Sequence, residues 1–434
     1  MRMNLRYPGW KHFLGRYSRY LSNLGASFFA QAVSALSILL LTPILLRALG
    51  ADGLGYYGVL LNVILLSAVF DFGLNTGLLR KLIHEKGRTD AVVSSMFFFF
   101  IVLLLVGVPL FYALFRFELL KTDQQYLLTS IFTALIVVQN MLAMFFEMMI
   151  QSADKIFVGK MIRIVKTIVE FIVLFLLSRL GSIAFLLLGT AAVNFLFLFA
   201  LAHYAKKEVP FTLSFQLFSW SRLLDHARYS FWYFQTTLSS VLVYNAQIIM
   251  IGSLVAPAAV SRYFMVMRFF DVIRTGMGNF TMILFPSLSI LQAEANWKKL
   301  HNLFLKVLIR VSLMVAVAFV VVLTLGEYCF VYWSKLNDAD TLFVFRWYSV
   351  LICLLLIEHV AVVFLAALKF NKLPSIIGTI QGVFGLLLTY QLVPVYGIGG
   401  AVIASIISLL ATNFIFNPIY LFRKIRQHLL LQTG

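Results

Sequence analysis

Twelve times along a 434-residue chain an apolar run of about 20 residues gives way to a short polar break, and this recurrence dictates a lipid environment. The runs fall near residues 22–46, 56–77, 92–115, 126–150, 161–179, 183–204, 230–252, 263–287, 307–329, 346–368, 375–395 and 399–421, numbered here spans 1 to 12. With 62% hydrophobic residues, 12% charged residues and a mean hydropathy of +0.94, nothing remains from which to build a large water-soluble domain. The expected fold is an all-α polytopic membrane protein.

The net charge of +18 does not point to nucleic acid, because the basic residues stand singly or in pairs between apolar runs. They instead predict topology. Placing the N-terminus in the cytoplasm puts 26 of the 35 Lys and Arg residues in cytoplasmic segments and 7 on the opposite side, which predicts an even number of spans with both termini inside. The remaining two, Arg268 and Arg274, fall inside span 8. Trp10, Trp232, Trp297, Trp333 and Trp347 lie at predicted span ends, where an amphipathic ring is best solvated. Cys329 and Cys353 match neither a disulfide framework nor a metal spacing and are expected as packing residues.

The longest polar break, 205–229, is expected as a cytoplasmic linker between a six-span N-terminal bundle (1–204) and a six-span C-terminal bundle (230–434). Its FTLSFQLFSWSRLLDH stretch, from Phe211, and RYPGWKHFLGRYSRYL, from Arg6, have the composition of interfacial amphipathic helices.

Ionisable groups inside hydrocarbon cost at least about 2.5–3.5 kcal/mol on insertion scales, so they are the functional candidates. Counted from the outer end of span 8 at about 1.5 Å per residue, Arg268 is roughly 8 Å deep and Arg274 roughly 16 Å deep, near the midplane. Asp271 stands three residues from each, so one helical face carries all three and the carboxylate can bridge both guanidiniums. Two readings stand: an ion-paired structural cluster, or a cationic patch for the phosphate or acidic sugar of a substrate, to which the planar guanidinium fork is suited. Arg163, Lys166 and Glu170 share a face near the cytoplasmic end of span 5, where they either receive a diphosphate or snorkel to headgroups. Asp71 in span 2 is either a cation or proton site or the cap of the following turn. Glu358 and His359 lie mid-way along span 10, where a proton relay requires that they meet although adjacent helical residues diverge. Gln31 lies on a polar line of span 1 with Ser27 and Ser34.

TPILLRALGADGLGYYGVL from Thr42, FDFGLN from Phe70, LVAPAAVSRY from Leu254, LFPSLSILQAE from Leu284 and VPVYGIGGAVIASIIS from Val393 resemble the polysaccharide-transporter family of the multidrug/oligosaccharidyl-lipid/polysaccharide exporters, in particular O-antigen (Wzx-type) flippases. The resemblance implies a MATE-like fold of two six-helix bundles around a central cavity lined largely by spans 1, 2, 7 and 8. It also implies transfer of an undecaprenyl-diphosphate-linked oligosaccharide across the bacterial inner membrane, with membrane lipids and the polysaccharide polymerase machinery as partners. Where many relatives carry an acidic residue late in span 7, this chain offers Asn245 and Gln247.

No cofactor is expected beyond a proton or sodium gradient. An organic-cation exporter of the same fold stays open through Asp71 and Glu358. A saccharide polymerase or ligase is disfavoured because no outer loop gathers acids, arginines or histidines, and ATP-driven transport because no GxxxxGK motif occurs.

Overall fold

The computed structural model describes residues 10–84, 90–117, 126–282 and 284–433. Arg2, Arg6, Lys86, Arg88 and Lys121 of the charge count lie outside the described residues. Among the described residues every regular element is a helix.

Two continuous helical stretches, Gly25–Phe70 and Lys372–Gln432, hold 46 and 61 residues. At about 1.5 Å per residue each far exceeds a hydrocarbon layer of about 30 Å, so each must contain two spans. Gly50 (φ 72°, ψ 178°) and Gly397 (φ 56°, ψ −150°) divide them, both in a region of backbone space that only glycine enters readily. The chain folds back at Gly397, since a Cβ on Gly400 would lie 2.4 Å from the Leu392 carbonyl oxygen. The helices Ile156–Ser178 and Pro257–Met282, spans 5 and 8, carry at least three charges in any membrane-length stretch and are therefore the least conventional spans. Span 7 is bent by 43° between Trp220–Tyr244 and Ala246–Leu254. Twelve passes result among the described residues.

Alternation of direction places Ala295, Leu368 and Gln432 at the end of the molecule that carries the C-terminus. There Gln292 donates to the Leu368 carbonyl, Gln432 donates to the Ala295 carbonyl, and His428 stacks on Trp297. At the far end the Gly181 turn abuts the Ala48 carbonyl, and the Trp333 indole donates to the Leu39 carbonyl at 2.8 Å. Aromatic packing builds both halves, with Phe100 against Phe145 in the first and Phe330 against Phe345 in the second, all fully buried.

The halves meet where glycine removes a side chain. A Cβ on Gly55 would sit 2.0 Å from the Pro257 carbonyl oxygen, and one on Gly77 would sit 2.0 Å from the Ser230 hydroxyl, so span 2 lies directly against spans 7 and 8.

Two local expectations change. The helix Ile183–Glu208 runs further than span 6, and the helix of span 7 begins at Trp220, which shortens the non-helical connection to 209–219. The stretch from Phe211 is therefore not one amphipathic helix: Ser214 and Ser219 accept the Gln216 and Arg222 amides, and these local bonds hold a short turn and a helix start. The connection is pinned to the helix Asp90–Arg116 by Ser94 and Ser95, which bond Thr212 and Ser219. Cys329 is exposed and so does not pack, while Cys353 is partly buried.

Candidate functional site

Span 8 assembles the site from its own periodicity, because residues three apart on a helix share a face. Asp271 bridges both arginines: Arg268 Nη1 lies 3.2 Å from Oδ2, while Arg274 Nη2 and Nε lie 2.9 and 3.3 Å from Oδ1. Two cations on one carboxylate leave a net positive charge. Aromatic faces take up part of it, with the Arg268 guanidinium 4.7 Å from the Phe264 ring centre and that of Arg274 4.7 Å from the Tyr244 ring centre. The arginines differ in access: the Arg268 side chain is 11% exposed and that of Arg274 36%.

Arg274 and Asp271 line a small cavity of about 30 Å³ together with Tyr244, Gln247, Tyr263 and Tyr348. Gln247 is held there by the Ser405 hydroxyl at 2.7 Å and the Tyr263 hydroxyl at 3.3 Å. A second cavity of about 160 Å³ shares Tyr244 and Gln381 with the first and reaches Glu358, whose carboxylate accepts a hydrogen bond from the Asn417 amide. The two form a polar tract inside the second half.

This placement corrects an expectation. The arginine cavity is lined by spans 7, 8, 10, 11 and 12, and neither span 1 nor span 2 contributes to it. The reason is local: span 8 turns its charged face toward Tyr244 of span 7, whose ring stabilises the Arg274 guanidinium better than hydrocarbon does, with Tyr348 of span 10 lining the same cavity. A volume of about 30 Å³ suits a water molecule or two and no saccharide, so this conformation has the arginine site closed.

The remaining candidates separate. Asp71, buried in span 2, accepts the Asn75 amide at 3.2 and 3.3 Å, and so caps the helix Leu74–His84 after the left-handed turn at Phe72 and Gly73. Lys166 and Glu170 pair at 3.6 Å while Arg163 is exposed beside them. Asn245 stands at the start of the second helix of span 7, at its bend, without a side-chain capping hydrogen bond. His359 does not line the Glu358 cavity, because adjacent helical residues project about 100° apart. Gln31 is exposed on span 1, away from the arginine cavity. Sequence reasoning missed Tyr244, Tyr348, Gln381, Ser405 and Asn417; an amide side chain within an apolar span was the available signal for Gln381 and Asn417. Among the described residues no cluster of His, Cys, Asp and Glu is suited to a metal ion.

Broken helices, two bundles and a charged polar tract within the membrane define a multi-pass transporter fold. Solved structures of this architecture include the lipid II flippase MurJ in an inward closed conformation, with a TM-score of 0.73, 17% identity and coverage of 93% of this chain and 90% of that one. An inward-facing multidrug resistance MATE family transporter of the MOP superfamily gives 0.68, 13%, 92% and 96%. A MOP superfamily transporter from Pyrococcus furiosus gives 0.63, 13%, 94% and 96%. These likenesses show the fold. Residues 20–292 match the family model described as polysaccharide biosynthesis protein, and the chain belongs to that family. No curated protein sequence matches it.

Proposed function

We propose that the protein moves a polyprenyl-diphosphate-linked oligosaccharide, an O-antigen or other surface-polysaccharide repeat unit, from the cytoplasmic to the outer leaflet of the bacterial inner membrane. Both termini lie in the cytoplasm in this reading, and the basic-residue asymmetry supports it. The observation that carries the function is the net-positive Arg268–Asp271–Arg274 cluster within the bundle of a polysaccharide-biosynthesis family member. An organic cation would be repelled by that cluster, whereas a diphosphate gains charge-assisted hydrogen bonds that replace its lost water.

No bond is made or broken in the cargo. The halves rock about the glycine contacts of span 2, opening the closed arginine site first to one leaflet and then to the other. Asp71 is already engaged as a cap, so coupling to a proton or sodium gradient is assigned to buried Glu358, with Asn417 as its partner and without His359, which points away from that cavity. Delivery of the repeat unit to polysaccharide polymerase machinery completes the reading.

The test is leaflet transfer of a defined lipid-linked oligosaccharide in proteoliposomes, with and without a proton gradient. Wild-type transfer by a correctly inserted Arg274→Ala variant rejects the cationic site. Transport of an organic cation in place of the saccharide lipid favours the exporter.

A further inference from the structure

An amphipathic cargo with a polar head and a long hydrocarbon tail needs two adjoining sites of opposite character, because the tail gains nothing by leaving apolar surroundings. The arginine cavity supplies one. Against it lies a groove of about 370 Å³ between the halves, walled by Leu66 and Phe70 of span 2, Leu242 and Met250 of span 7, and Leu386 of span 11.

Leu242 belongs to both walls. It is seated on Gly382, where a Cβ would come within 2.4 Å of its own Cβ, so a leucine side chain resting on a bare backbone separates polar from apolar space. Gly385, next to Leu386 in sequence, completes the polar side beside Gln247. Both long walls are broken helices. Span 2 is interrupted by the left-handed turn at Phe72–Gly73, just past the groove residue Phe70, and span 7 is bent by 43° at Asn245. An unbroken helix resists bending, whereas paired breaks give the groove hinges on both sides.

We infer that this groove between spans 2 and 7 holds the isoprenoid tail of the cargo while the head occupies the arginine site, and that Leu242 is the gate between them. The inference rests on the flippase reading above and adds the tail subsite and its gate. Its occupant is the tail of the transported lipid. A phospholipid acyl chain is the competing outcome.

The experiment uses full-length protein in proteoliposomes with two probes, a polyprenyl-diphosphate oligosaccharide and a phosphatidylglycerol, each carrying a photoactivatable diazirine in its chain. The saccharide lipid is expected to label residues 66–70 and 246–253 in preference to the phospholipid. Filling the groove by Met250→Trp should lower that labelling and transfer by about tenfold through overpacking, while Met250→Leu, which keeps the volume, leaves both near wild type. Thermal melting of each variant separates blockage from misfolding. Leu242→Ala, which needs no added volume, should weaken the selectivity of transfer for a long tail over a short one. Transfer that persists in wild type with labels lying elsewhere, or that survives Met250→Trp, overturns the groove and leaves the flippase reading standing. Labelling of the groove by phosphatidylglycerol alone, with no saccharide transfer, overturns both.

Discussion

Arg268 and Arg274 share one carboxylate but do different work, and exposure tells them apart. Arg274 is the more exposed of the two, so in the flippase reading Arg274→Ala should cut leaflet transfer by about tenfold or more, the loss of one charge-assisted contact being about 1.5–3 kcal/mol. Arg274→Lys keeps the charge but not the fork, and should fall between wild type and alanine. Arg268, only 11% exposed, is the more buried of the two, and Arg268→Ala should appear mainly as lost stability, about 1–3 kcal/mol, in a thermal melt, with the smaller effect on transfer. Asp71 offers a test of role by chemistry. If it is a cap, Asp71→Asn retains an acceptor for the Asn75 amide and stays near wild type, whereas Asp71→Ala loses about 1 kcal/mol. Loss of gradient dependence in Asp71→Asn would return it to the coupling machinery.

Elements are set by their interruptions. At Gly50 and Gly397 an added Cβ meets nothing within 4 Å, so any cost of substitution there is purely conformational. Gly50→Ala and Gly397→Ala should each destabilise by about 1–3 kcal/mol, measured by thermal unfolding in detergent, and an unchanged melting temperature would mean that the hairpins tolerate another backbone path. At the far end of the molecule the short connection after the helix Glu327–Ser334 ends in Asp338, which caps the helix Ala339–Ala367 and pairs with Arg262 at 3.0 Å. Burial acts to raise the Asp338 carboxyl, but the Thr341 hydroxyl and amide and the Arg262 guanidinium outweigh it and hold the group below the ordinary carboxylate range. A carboxyl depressed in the fold contributes stability above its unfolded value and loses it as pH falls through its folded value. The melting temperature of wild type minus that of Asp338→Asn should therefore be flat through neutral pH and shrink only below about pH 4.

On the scale of the whole molecule, the far end is sealed by contacts between the halves: the Asp52 carboxylate accepts the Ala258 amide at 3.0 Å, and Gly55 lies against Pro257. Gly55→Val cannot fit there without parting spans 2 and 8. A Tyr57→Cys probe, buried in the sealed state, should then react faster with a membrane-impermeant thiol reagent in the Gly55→Val background than without it. Equal rates would show that the seal does not govern access. The rocking reading and the tail groove both depend on this interface being a working contact between the halves.

The twelve-pass architecture was legible because lipid leaves the backbone no choice: each apolar run must satisfy its own hydrogen bonds as a helix, whatever its neighbours do. The Arg268–Asp271–Arg274 bridge was legible for a related reason, since three-residue spacing on one helix fixes which side chains meet. Contacts between helices carry no such local signature. Nothing in the order of residues shows that Tyr244, Tyr348 and Ser405 converge on span 8, that Glu358 takes Asn417 as its partner, or that the arginines turn into the second half. Those outcomes follow from which helix faces pack together, a choice among many apolar surfaces of nearly equal energy in lipid, and only tertiary structure makes it.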